Sequence, residues 1–137
     1  MPSCIITRRV HFNAAHRLHN PAESDAWNRA TFGPCNNPNY HGHNYELEVS
    51  VEGEIDPKTG YVLDIAVLKD LVDRQVSAVL DHRNLNMDVD FMKGKMCSIE
   101  NLVTGIWQEL KLYLPETVNL HCLKLVETAK IYVEYYG

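Results

Sequence analysis

The stretch Cys35-Asn36-Asn37-Pro38-Asn39-Tyr40-His41-Gly42-His43 sets a thiol ahead of a His-Gly-His pair. Side chains of a strand alternate faces, so His41 and His43 point the same way. Two imidazoles on one face can share a metal ion, and they need a third ligand from elsewhere. The residues that follow show which face this is. Tyr45, Leu47, Val49 and Val51 share parity with the two histidines, whereas Asn44, Glu46, Glu48, Ser50 and Glu52 have the opposite parity. That alternation puts His41 and His43 at the mouth of the buried face. An idle histidine pair at a strand start is the competing reading.

The third ligand comes from the first strand, expected over 4–17. Ile6, Val10, Phe12, Ala14 and His16 share a face, with Arg8 as the exception. If this strand pairs antiparallel with 43–53, its end lies beside the other's beginning. His16, His41 and His43 then meet at one rim. His11 has the wrong parity. His19 competes with His16 but falls where strand geometry ends.

Two acidic positions also bear on chemistry. Asp81-His82 follows a helix, as a polar exit beside the helix dipole or as a carboxylate–imidazole pair able to orient proton transfer. Glu127 shares parity with Leu123 and Leu125 at a strand end, either turned to solvent or placed to accept a ligand's N–H groups. An anionic substrate would need local cations, for which Arg8, Arg9, Arg17 and Arg29 are candidates against a plain solvated role.

These residues must be positioned by few elements. A long loop, 18–40, joins the first two strands; loops of this length are usually functional or disordered. It contains Trp27, Phe32 and Cys35, with a short helix possible over 24–30. Asp56-Pro57-Lys58-Thr59-Gly60 reads as a turn, and 61–63 as a short extended return. Asp64 caps a helix with an apolar stripe of Ile65, Leu68, Leu71, Val72, Val76, Val79 and Leu80. A charged connection, 88–95, leads to a second helix capped by Ser98, with Glu100 in its first turn and Pro115 marking its end. Strands follow at about 120–127 and 130–136. The expected fold is α+β: a four-stranded antiparallel sheet with two helices on one face, in the order ββααββ. Open sheet edges favour oligomerisation.

At 137 residues the chain is expected to form a single domain over 1–137. A formal charge of −5 argues against a general nucleic-acid binder. No apolar run has the length of a membrane span and no signal peptide is evident. Four scattered cysteines without a Cys-x-x-Cys pair suit a cytoplasmic protein with free thiols.

Taken together and in order, several stretches resemble the 6-pyruvoyl tetrahydropterin synthase family over nearly the whole chain. They are Phe12 to Leu18, Phe32 to Tyr45, Gly53 to Pro57, Leu80 to Asn86, Ser98 to Asn101, and Glu127-Thr128. The resemblance implies the tunnelling fold, in which sheet edges join into barrels and trimers stack into homohexamers. It implies zinc held by His16, His41 and His43, and Cys35 as the proton-abstracting base. It implies Asp81 and His82 as a relay from a neighbouring subunit, and Glu127, with Glu100, as substrate-binding residues. The family reaction converts 7,8-dihydroneopterin triphosphate to 6-pyruvoyl-tetrahydropterin with loss of triphosphate, in tetrahydrobiopterin biosynthesis. Two rivals share the fold. The 6-carboxytetrahydropterin synthases typically have three residues between the cysteine and His-Gly-His, where this chain has five. An aldolase-like variant commonly replaces the cysteine with glutamate. A zinc-stabilised assembly module without catalysis is the rival from another class. The chain departs from the family at Tyr40, where many relatives have glycine, and at Cys97-Ser98-Ile99.

Overall fold

The computed structural model describes residues 1–137. In chain order it contains β1 (Ser3–His16), α1 (Asp25–Phe32), a 3-10 turn (Gly33–Asn36), β2 (His41–Glu54) and α2 (Ile65–Val72). The last runs through a π-helical turn (Asp73–Ser77) into α3 (Ala78–Leu80). Next come β3 (Arg83–Asn84), a 3-10 turn (Asp90–Met92), α4 (Ile99–Tyr113), β4 (Asn119–Thr128) and β5 (Ile131–Tyr135).

The alternating segments pair as their patterns require. β1 and β2 run antiparallel over their whole length, from Ser3↔Glu54 to His16↔His41. β4 pairs antiparallel with β2, and β5 with β4. The sheet is not four-stranded, however; it has five strands in the order β3-β1-β2-β4-β5. The fifth, β3, lies parallel to β1 through Ala14↔Arg83 and Ala15↔Asn84. Two residues carry no periodicity, so no pattern announces this strand. The chain leaving α3 makes it by turning at His82, whose φ is 59°. The His82 N–H then donates to Asn13 O (2.6 Å) and the Leu85 N–H to Ala15 O (2.8 Å).

One face of the sheet is apolar and covered. Phe12, Ala14, Tyr45, Leu47, Val49, Val51, Leu123 and Leu125 pack with Leu68, Val72, Val76 and Leu80, and with Leu102, Val103, Ile106 and Leu110 of α4, in one buried cluster. Full burial of a side chain such as Leu contributes about 1.5–3 kcal/mol. The helices start where their caps sit: Asp64 Oδ1 accepts from the Ala66 N–H (2.8 Å), and Ser98 Oγ from that of Asn101 (3.2 Å).

Three local expectations change. Ile65 is exposed rather than part of the stripe, because it opens the helix beyond the sheet's cover. Residues 61–63 form no strand; the Asp56 N–H donates to Tyr61 O (2.9 Å) and closes a turn instead. The connection 88–95 is charged only on its outer side, since Val89 and Met92 are buried.

Candidate active site

The site is built from the inner ends of β1 and β2. Registry makes His16 and His41 direct neighbours, with His43 opposite Ala14. Ligand atoms of His16, His41 and His43 all lie within 4.8 Å of one another. Their ring centroids are 4.6–5.1 Å apart and their planes cross steeply, at 62–87°. The convergence expected from parity is what the sheet produces. His19 stands outside it, with Nδ1 3.0 Å from Asn36 Nδ2.

The rings are held from behind. His16 Nδ1 lies 2.7 Å from Cys97 O, at the residue preceding the α4 cap. Its other nitrogen, Nε2, is buried without a hydrogen-bond partner, as are His41 Nδ1 and His43 Nε2. Buried polar atoms are seldom left unpaired. Burial lowers the His16 pKa to about 4, against the partly offsetting hydrogen bond to Cys97 and with help from the neighbouring histidines. Burial, and then His43, lower that of His41 as well. Three mutually facing imidazoles, each with a buried nitrogen left unpaired, fit a divalent metal that takes nitrogen ligands, and zinc suits such a set. The backbone carbonyl at Cys97 that fixes the ring of His16 was invisible in the sequence, because no side-chain type signals it.

Glu127 joins this group. Its Oε1 lies 3.9 Å from His43 Nε2, with both side chains largely shielded. It sits at a register shift in the β4–β5 pairing, between Val126 and Thr128, and such bulges re-aim side chains. Tyr45 forms the floor, its ring 5.6 Å from that of His43 and stacked on Phe12. Burial, with Glu127 nearby, pushes the Tyr45 phenol well above its usual range.

Cys35 is half-buried in the 3-10 turn, and its backbone oxygen accepts from the Leu18 N–H (2.8 Å), two residues beyond His16. The loop is fastened by buried amides. The Asn28 N–H donates to Ser24 O (3.0 Å) and its side chain spans the loop: Oδ1 accepts from the Asn20 N–H (2.7 Å), and Nδ2 donates to Asn20 O (2.9 Å). Asn36 Nδ2 donates to Leu18 O (2.7 Å). Cys35 is not among the group able to share a metal. Glu100 is exposed in the first turn of α4.

The structure does not bring Asp81 and His82 to the imidazoles. Their side chains pair with each other (2.9 Å) at the outer edge of β1, where Asp81 Oδ1 accepts from the Asn13 N–H (2.9 Å). That backbone bond, followed by the one to His82, holds the Asp81 carboxyl below its usual range. Both side chains face solvent at this edge.

The family model for 6-pyruvoyl tetrahydropterin synthase matches residues 5–137. The chain belongs to this family. It is 43% identical over 136 residues to the Drosophila melanogaster 6-pyruvoyl tetrahydrobiopterin synthase, covering 99% of this chain and 81% of that protein. Its identity to the human 6-pyruvoyl tetrahydrobiopterin synthase is 44% over 132 residues, covering 96% of this chain and 90% of that one. Among solved structures, the Caenorhabditis elegans 6-pyruvoyl tetrahydropterin synthase superposes with a TM-score of 0.93 at 41% identity, over 100% of this chain and 97% of that chain.

Proposed function

We propose that this protein is a zinc-dependent lyase that converts 7,8-dihydroneopterin triphosphate to 6-pyruvoyl-tetrahydropterin, releasing triphosphate. The supporting observation is the rim where three imidazoles with unpaired ring nitrogens meet the shielded carboxylate of Glu127, in a chain of the synthase family. His16, His41 and His43 would hold the metal. Zinc bound there supplies Lewis acidity to a substrate hydroxyl or carbonyl, which makes the neighbouring C–H easier to deprotonate.

The chain's own groups do the rest. Cys35, as thiolate, takes the proton from side-chain carbon. Glu127 accepts from the pterin's N–H groups and fixes the ring, and Glu100 at the α4 start is assigned to the same substrate. Asp81 holds His82 as a proton relay. Since that pair stands at an outer edge of β1, it serves the site of a neighbouring subunit. Protons are redistributed within the substrate, the C–O bond to triphosphate breaks with its electron pair on oxygen, and no external oxidant is consumed.

The working form is a homohexamer, a dimer of trimers in which free edges of β1 and β5 join sheets into a barrel, and its location is cytoplasmic. The 6-carboxytetrahydropterin synthase reaction on the same substrate is the second reading; five residues between Cys35 and His41 favour the pyruvoyl product. The test is purified protein with 7,8-dihydroneopterin triphosphate, products identified by mass spectrometry and zinc content measured. Release of 6-carboxytetrahydropterin would reverse the order of the two readings. Zinc lost from His19→Ala but retained by His16→Ala would overturn the ligand set.

A further inference from the structure

A chain with a formal charge of −5 repels a polyanion at long range unless cations gather where it lands. Two clefts share a wall made by Arg17 and His19. The first, of about 570 Å³, is also lined by Arg29 and carries one acid, Asp25. The second, of about 470 Å³, adds Tyr40 and Lys95. Arg17 directly follows His16 and Tyr40 directly precedes His41, so the second cleft adjoins the ends of the two strands that carry the imidazoles.

Arg17 is fixed before any ligand arrives. Its N–H donates to Asn86 Oδ1 (2.9 Å), and Asn86 Nδ2 donates to Arg17 O (3.0 Å). Its guanidinium donates from Nε (3.3 Å) and Nη2 (2.9 Å) to Asn36 O, which leaves further N–H groups for a ligand. Arg9, Lys69, Arg74 and Lys93 each form an ion pair with a carboxylate. Arg17, Arg29 and Lys95 form none, although Asp25 stands one helical turn from Arg29. Other cations, Lys58 among them, are also without an ion pair; what sets Arg17, Arg29 and Lys95 apart is that these three line the two adjoining clefts.

We propose that Arg17, Arg29 and Lys95 form the receptor for the substrate's triphosphate, with Arg17 as its fixed point. This rests on the pterin triphosphate reading given above. Guanidinium forks match phosphate oxygens, and Lys95 adds a mobile point charge. As the C–O bond breaks, the same cations take up the charge that develops on the departing oxygen. The site thus acts on binding and on leaving-group departure.

Inorganic triphosphate, titrated calorimetrically into the full-length protein, tests this without turnover. The wild type is expected to bind it, and added KCl to weaken it. Arg29→Ala and Lys95→Ala should each lose about tenfold in affinity, as for one charge-assisted hydrogen bond. Arg17→Lys should lose at least as much, because the lysine keeps the charge and loses the fork. Lys58→Ala, in the turn 56–60, should bind as the wild type does. Unchanged melting temperatures verify that the variants fold. The proposal fails if Arg29→Ala and Lys95→Ala bind triphosphate like the wild type, or if Lys58→Ala weakens it equally. Should the expected pattern appear while 7,8-dihydroneopterin triphosphate is left unconverted, the polyphosphate site stands and the catalytic reading falls.

Discussion

His16 is the most deeply buried of the three imidazoles, so protonating it opposes folding. Its folded pKa of about 4 lies below the ordinary 6.5. Between those values the unfolded chain takes up the proton and the folded chain does not, so stability rises with pH across that window. For protein treated with chelator, this contribution is complete above pH 6.5 and lost as pH falls toward 4. Urea midpoints measured from pH 7 to pH 4 should slope accordingly, and His16→Gln should flatten the slope; equal slopes in both proteins would contradict the assignment. Cys35 and Glu127 separate by a different measurement. Cys35→Ala should keep zinc and substrate binding and lose turnover by about a hundredfold or more, as expected when a general base is removed. Glu127→Ala should weaken pterin binding, because its contacts act on ground and transition states alike. A zinc-free Cys35→Ala protein would make the thiol a ligand rather than a base.

At the scale of elements, Tyr40 is, with His82, one of two non-glycine positions under strain. Its φ is 69°, in the left-handed region, immediately before the first histidine of β2. Glycine would adopt this geometry without the cost a Cβ brings. A left-handed conformation costs an L-residue about 1–2 kcal/mol, and a β-branched side chain fits it worst. Tyr40→Val should therefore lower the melting temperature and weaken zinc binding, whereas Tyr40→Gly should preserve both; a Tyr40→Val protein matching the wild type would show that the turn does not set the position of His41. The main strands were legible because a half-buried sheet enforces period two, and the cluster of three imidazoles followed from the parity of His16, His41 and His43. What escaped was local. β3 is too short for a period, the π turn at 73–77 leaves the spacing of Val72, Val76 and Leu80 apparently helical, and the carbonyl of Cys97 carries no residue signature. The placement of Asp81 and His82 at the edge of β1, away from the imidazoles, depends on that short strand.

At the scale of the whole molecule, β1 is unpaired along most of its outer side and β5 has one neighbour only. Exposed edges invite pairing between chains. The separation of Asp81–His82 from the imidazoles of its own chain has the same implication. Mixed assemblies of Cys35→Ala and His82→Ala subunits should then recover activity that neither homogeneous protein has, since some sites receive an intact thiol from one chain and an intact imidazole from another. A fully active monomer by light scattering would contradict this arrangement.

The pairing of His16 with His41 also closes a ring of chain. Everything from Arg17 to Tyr40, including α1 and Cys35, hangs between these two residues. An ion shared by them is a removable clasp on that ring, and opening it returns the entropy that loop closure had withheld. Amide hydrogen exchange would register the release locally. On chelation, protection should drop at Ala14, Ala15 and Gly42 and through 17–40, while the far end of the ladder at Ile6 and Val51 keeps its slow exchange. Metal occupancy would then govern how long the thiol's loop stays in place, in addition to any part it takes in the chemistry.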